Sequence, residues 1–375
     1  MKTTLRILSS LVVLFALLIF FLWVRYGGGE HFEDRTTAPE MPASVLEKVA
    51  DLELPPGNIA VSEEGRVFFT FHPEAKPEVN VAEWVDGRPV PYPEDLPEEL
   101  AYQSVLSLRI DRQNRLWILD NANHGTGTPR IFAIDLSTDR VVHHHDFDSN
   151  IAGIGSHLND FQVSPDGKMI YIADASIFRK NPALVIYDVE RKSARRILEG
   201  HESVVPDRYV PVVQGRKMII LGIFAIRPGV DSIALDREGE WLYFAPVTDD
   251  YMHRVRRADL DDGTLSADEL AKRVERFAKK TMSDGITTDS DGNVYLSDAD
   301  ESAIVLLEPS GSLRTLIKDP MLRWPDGFSF GPDGWLYVTC SALHEVIMRI
   351  PSHVKSKGPY QIYRFKPGPI APPGH

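Results

Sequence analysis

The chain is predicted to be an all-β protein, a six-bladed β-propeller with an N-terminal transmembrane helix and one inserted helix. Three observations carry this: an eighteen-residue apolar run at the N-terminus, six look-alike hairpins after it, and one capping box followed by helical spacing.

The apolar run is Ile7 to Val24, interrupted only by Ser9 and Ser10. As a helix it spans roughly 27 Å, close to the hydrocarbon thickness of a bilayer. Lys2 and Arg6 precede it, which places the N-terminus in the cytoplasm and the rest of the chain outside. Trp23-Val24-Arg25-Tyr26 follows with no small-x-small site, so a retained anchor is favoured over a cleaved signal segment. The alternative is a secreted or periplasmic protein after cleavage. The expected organisation is an anchor or signal segment at 1–26, a linker at 27–43 and a propeller at 44–375.

The hairpin repeat joins a short strand, a turn with Asp or Gly, and a strand rich in aromatic and β-branched residues. Its copies start at Gly57, Leu106, Asn159, Asp231, Asp284 and Asp326, and in each the turn residue stands eight positions later: Gly65, Asn114, Gly167, Gly239, Gly292 and Gly334. Gly or Asn there supplies the positive φ of a tight hairpin. Successive starts lie 49, 53, 72, 53 and 42 residues apart, the period of four-stranded blades, with an insertion after the third. Pro129 to Asp135, Ala183 to Asp188 and Ala303 to Glu308 fit outer strands. Both Ser44 to Leu54 and Tyr360 to Phe365 fit a strand that closes the ring. Ser266-Ala-Asp-Glu269 is a capping box, and the spacing of Leu270, Val274, Phe277 and Ala278 predicts a helix of about fourteen residues, either a lid or a cover for apolar surface.

Composition narrows the function. A net charge of −13 argues against nucleic acid as a partner. Cys340 is the one cysteine, so an intrachain disulfide and a thiolate metal cluster are both excluded. The repeat points Asn159, Asp231, Asp284 and Asp326 at one channel mouth. Crowded carboxylates raise one another's pKa or recruit a cation, and oxygen donors suit calcium or magnesium. His143, His144 and His145 are adjacent on a strand, alternate faces and cannot converge on a metal. His124 lies on a loop after an inner strand and is a candidate ligand contact; His157 and His344 are weaker ones. Gly125-Thr-Gly-Thr128 follows no strand-to-helix pattern and makes a poor phosphate cradle.

The stretches Arg66 to Phe71, Pro91 to Pro93, Ser107 to Asp120, Tyr171 to Ala175, Leu184 to Val189 and Asp231 to Tyr243 resemble the yellow/major royal jelly protein family, in particular its bacterial members related to L-dopachrome tautomerase. A more distant likeness is to the senescence marker/gluconolactonase propellers, which hold one divalent metal, usually calcium, in the central funnel. That resemblance implies Asn159, Asp231 and Asp284 as metal ligands, with Gly57 standing where a Glu is expected. The expected function is an extracytoplasmic propeller that binds a small organic ligand through Asn159, Asp326 and His124. The alternatives are a metal-dependent lactonase or a tautomerase, with Asp231 and Asp284 catalytic, and a protein-interaction scaffold.

Overall fold

The computed structural model describes residues 2–374. Six four-stranded antiparallel sheets stand as blades around one axis. Blades one to five run from the innermost strand outward in chain order, beginning at Pro56–Val61, Val105–Ile110, Leu158–Val163, Val230–Leu235 and Ser283–Thr288. The sixth blade is shared between the two ends of the chain: Pro325–Phe330, Leu336–Cys340 and Tyr360–Phe365 are completed at the edge by Glu47–Leu52. Both segments expected to close the ring therefore do so together, with Glu47 opposite Arg364 and Ala50 opposite Ile362. Closure packs the face of the first blade against that of the sixth, so neither terminal blade leaves an apolar face open, and each sheet keeps one short outer edge.

The hairpin turns behave as the repeat demands, since all six residues named above have positive φ, from 59° at Asn114 to 84° at Gly65. The innermost strands are sewn to their neighbours by side-chain hydroxyls and amides. Thr70 Oγ1 donates to Leu106 O (2.8 Å), Ser107 Oγ to Asp160 Oδ1 (3.0 Å), Gln162 Nε2 to Ile233 O (3.0 Å), Ser232 Oγ to Ser283 O (3.3 Å), and Thr339 Oγ1 to Gly57 O (2.6 Å). Together with Trp324 and Asp284, described below, these bonds cross all six blade joints. Between blades the apolar side chains interdigitate; Trp117, Phe161, Ile172 and Tyr187, for example, share one buried cluster.

Two elements depart from the sequence reading. The capping box at Ser266 and Glu269 is formed, but its helix is a single short stretch, Ala267–Ala271, and Glu275–Lys279 is the outer strand of the fourth blade, paired with Tyr251–Arg256. The blade needs a fourth strand, and pairing its backbone outweighs a helix that would bury only one stripe. The insertion between blades three and four folds as two short hairpins, Val212–Val213 with Arg216–Lys217 and Ile219–Ile220 with Phe224–Ala225.

The N-terminal helix, Lys2–Tyr26, holds a 21-residue span, Arg6–Tyr26, that is long and apolar enough to cross a membrane, and its apolar stretch is not buried against the propeller. After it, residues 27–43 lie along the propeller: Phe32 is buried, Arg35 Nη1 donates to Lys280 O (2.8 Å), and Met41 N to Leu316 O (2.9 Å).

Candidate functional site

Each innermost strand shifts register against its partner within its first few residues, at Pro56/Ile59, Val105/Ser107, Leu158/Phe161, Val230/Ser232, Ser283/Ile286 and Pro325/Phe328. Such a bulge leaves its residues out of the ladder and re-aims their side chains. Repeated six times around one axis, it delivers Asn58, Leu106, Asn159, Asp160, Asp231, Asp284 and Asp326 to the floor of a single central cavity of about 340 Å³. The structure thus brings together Asn159, Asp231, Asp284 and Asp326, as the repeat predicts, and His124 and His157 line the same cavity. His344 is buried beside Trp324 with a ring-centroid separation of 6.5 Å. His143 to His145 lie on the outer strand of blade two, where His143 Nε2 meets Tyr187 OH at 2.8 Å.

Of the four floor carboxylates, Asp160 and Asp231 are buried and Asp284 and Asp326 are half-buried, open only to the cavity. Burial first, then Asp284, Asp160 and Asp326, pushes Asp231 well above the usual carboxylate range. Burial, then Asp284 and Asp160, does the same to Asp326. Asp284 is pushed up to about 6 by burial, opposed by the Trp324 Nε1–H···Oδ2 bond of 2.6 Å. Asp160 is raised by burial and lowered by its partners: the Arg109 guanidinium 3.8 Å away, Ser107 Oγ at 3.0 Å and Asn58 Nδ2 at 2.7 Å. Arg109 also holds Asn58 Oδ1. The floor is therefore an acid cluster with one buried cation at its back, and it retains protons that isolated carboxylates would lose.

One wall carries imidazoles. His124 Nδ1 and His157 Nδ1 are 2.7 Å apart, so one must donate to the other, and His124 Nε2 lies 4.0 Å from Glu74 Oε1. Burial lowers His124, and burial followed by His124 and His72 lowers His157 well below the ordinary histidine value. This wall is neutral and Glu74, raised by burial, faces it.

Asn159 Oδ1 is buried and receives no well-aligned hydrogen bond; its polar neighbour is the His157 imidazole, whose positive form it favours. A buried carbonyl oxygen left unpaired costs about 1–3 kcal/mol, so it marks a place for a donor or a cation. Asn159 with Asp231 and Asp284 is a set of hard oxygen donors that fits a calcium-like ion in kind. No group of three His, Cys, Asp or Glu side chains among the described residues is arranged to hold a metal. Gly57, at the position where a Glu is expected, has no room for one, because a Cβ there would come within 2.7 Å of Thr70 Oγ1.

Sequence reasoning missed Asn58, Asp160, Arg109 and Trp324. Asn58 and Asp160 each stand one residue after a named repeat start, and that offset was their only signal. The lid was missed as well: Ile220, Leu221, Phe224 and Ile226 from the insertion cover the cavity, joined by Phe178, Ile347 and Met348.

Among curated proteins, none matches the sequence. Solved structures share the fold. A luciferin-regenerating enzyme is 14% identical, with 88% of this chain and 97% of that one covered and a TM-score of 0.55. A gluconolactonase from Xanthomonas campestris is 15% identical, covering 86% and 89%, with a TM-score of 0.54. A calcium-binding protein, regucalcin, from Agrobacterium tumefaciens is 16% identical, covering 90% and 100%, with a TM-score of 0.55. The family model for the major royal jelly protein matches residues 103–326, more than half of the chain. The matched stretch takes in His124, Asn159, Asp231 and Asp284 and ends on Asp326, and the chain belongs to the major royal jelly protein family.

Proposed function

We propose that this protein is a membrane-tethered extracytoplasmic propeller that binds a small organic molecule in its central cavity. The observation that carries the reading is the pairing of a polar floor, Asn159 with Asp160, Asp231, Asp284 and Asp326, with an apolar lid built from an insertion. Concave, mostly apolar sites with a few convergent polar groups are the usual form of a ligand pocket. The floor orients the ligand by hydrogen bonds and the lid excludes water. The test is a thermal-shift panel of lactones, catechols and indoles on the full chain in detergent. At least one compound is expected to raise the unfolding midpoint, and Ala225→Phe, which fills the cavity, is expected to abolish the shift. A panel that leaves the native protein and Ala225→Phe indistinguishable would sink the reading.

A second reading, metal-dependent lactone hydrolysis, is favoured by three hard oxygen donors, Asn159, Asp231 and Asp284, lining the same floor. Asn159, Asp231 and Asp284 would hold a divalent cation, which supplies a Lewis acid for a carbonyl oxygen when bound. Asp231, deprotonated by such a neighbour, is then placed to take a proton from water, and the neutral His124–His157 pair to pass one on. Titration of Ca²⁺ alone into the full chain separates the readings: binding lost in Asn159→Ala with Asp284→Ala supports the hydrolase. No heat of binding removes it and leaves ligand binding standing.

A further inference from the structure

The N-terminal helix ends at the mouth of the cavity. Tyr26, its last residue, lines that mouth: its hydroxyl donates to Phe178 O at 3.2 Å, and its ring lies 5.6 Å from that of Phe224 in the lid. Arg227 Nη2 donates to Gly27 O at 2.9 Å, and Glu30 forms a parallel bridge with Tyr209. The apolar span is thus pinned to one face of the propeller, the face that opens the cavity.

That face is also where apolar side chains are left uncovered. Phe178, Leu221 and Met348 come from three separate loops, line the cavity rim, and are 56%, 78% and 66% exposed. Ile350, two residues on from Met348, is 68% exposed. Arg25, Lys217 and Arg349 are exposed in the same segments, in a chain whose net charge is −13. An apolar rim with interleaved cations is the surface that a bilayer interface accommodates, the rings and alkyl chains entering the acyl boundary and the cations meeting headgroups. The rim is continuous with the transmembrane helix, so lipid is its occupant.

We infer that the cavity mouth sits on the bilayer surface and that the ligand enters from the membrane as an amphipathic molecule, apolar tail toward the lid and an uncharged hydroxyl-bearing head on the floor. This deepens the tethered, ligand-binding reading and rests on it. The head is assigned by chemistry: the floor holds four carboxyl groups against one guanidinium, Arg109, which is already engaged by Asn58 and Asp160. On the floor an anionic head would meet like charge beside a guanidinium that is already paired, the other lining cation, Lys180, standing at the mouth against Tyr26, whereas a hydroxyl can donate to Asn159 Oδ1 or to a floor carboxylate.

The test uses the full chain in phosphatidylcholine vesicles. Cys340 is fully buried, so Leu221→Cys and, on the opposite face, Asp291→Cys each give one thiol for an environment-sensitive fluorophore. Spin-labelled phosphatidylcholine is expected to quench the label at 221 several-fold more than that at 291. Equal quenching in protein that floats with the vesicles overturns the bilayer-facing mouth while the tether stands; protein that does not float overturns the tether. Pyrenebutanol supplied in the vesicles is expected to accept energy from Trp324 saturably, with pyrenebutyrate roughly tenfold weaker because its carboxylate would be buried unpaired. Equal binding of acid and alcohol, or binding of neither beside a soluble compound that still shifts the unfolding midpoint, overturns the ligand assignment alone. A Phe178→Ser, Leu221→Ser, Met348→Ser variant, with its floor intact, is expected to lose uptake from vesicles but keep binding of pyrenebutanol dispersed in detergent. Undiminished uptake by that variant overturns entry through the rim.

Discussion

Trp324 Nε1 donates to Asp284 Oδ2 at 2.6 Å, joining the entry of the sixth blade to the bulge of the fifth. The bond does two jobs: it closes a blade joint, and it holds down the pKa of a carboxyl that burial has pushed up to about 6. Trp324→Phe removes a donor that favours the charged form, so the Asp284 pKa is expected to rise above about 6. Carbon-detected NMR titration of the side-chain carboxyl reads this directly, and an unchanged or lower value would contradict it.

The same carboxyl sets a stability slope. Its folded pKa lies above the unfolded value, so between about pH 4 and pH 6 the unfolded state loses its proton first, and stability falls as pH rises through that window. Asp284→Asn, which keeps an acceptor for Trp324, is therefore expected to be more stable than the native chain at pH 7 by on the order of 2–3 kcal/mol, since each tenfold loss of proton affinity on unfolding is worth about 1.4 kcal/mol. The gain should vanish near pH 4. Urea unfolding at both pH values checks it, and a gain independent of pH would point to packing instead.

His72 gives the opposite slope at lower pH. Burial and then His124 hold it at about 3, below its unfolded value, so the unfolded state takes up a proton first and stability falls as pH drops from about 6.5 toward 3. His72 Nδ1 also accepts from Glu74 N at 3.2 Å as a helix cap. His72→Asn retains a capping acceptor without the titration. Its acid-unfolding midpoint is expected at lower pH than that of the native chain, as followed by circular dichroism.

Arg109 is the one cation behind the floor. Arg109→Met leaves Asp160 buried without its counter-charge, a loss of about 3–5 kcal/mol by the usual cost of breaking a buried pair. The double variant Arg109→Met with Asp160→Leu is expected to recover much of that loss in denaturant titrations. Failure to recover would show that Arg109 acts mainly through Asn58.

At the ring closure, Ile362 is fully buried and Arg364 pairs with Glu47 at 2.8 Å on the surface. Ile362→Ala is expected to cost about 2–5 kcal/mol. Glu47→Ala is expected to cost under about 1 kcal/mol, because exposed ion pairs contribute little. Thermal unfolding of the two variants should differ in that order.

The six hairpins, their positive-φ turns and the membrane-length apolar run were determined by the sequence itself, because each rests on local chemistry: period-two alternation, Gly or Asn at one turn position, and an unbroken stretch of hydrocarbon. The convergence of Asn159, Asp231, Asp284 and Asp326 followed from their common place in the repeat. Only the tertiary structure decided the rest. Residues 275–279 became a strand because a blade edge was waiting for them, although their own spacing favours a helix. Asn58 and Asp160 entered the site because a bulge turned two residues inward where the repeat had marked one. The lid, the buried Arg109 and the meeting of Tyr26 with Phe178 join segments far apart in the chain, and contacts at such separations are set by how the blades pack around their axis, which no local pattern encodes.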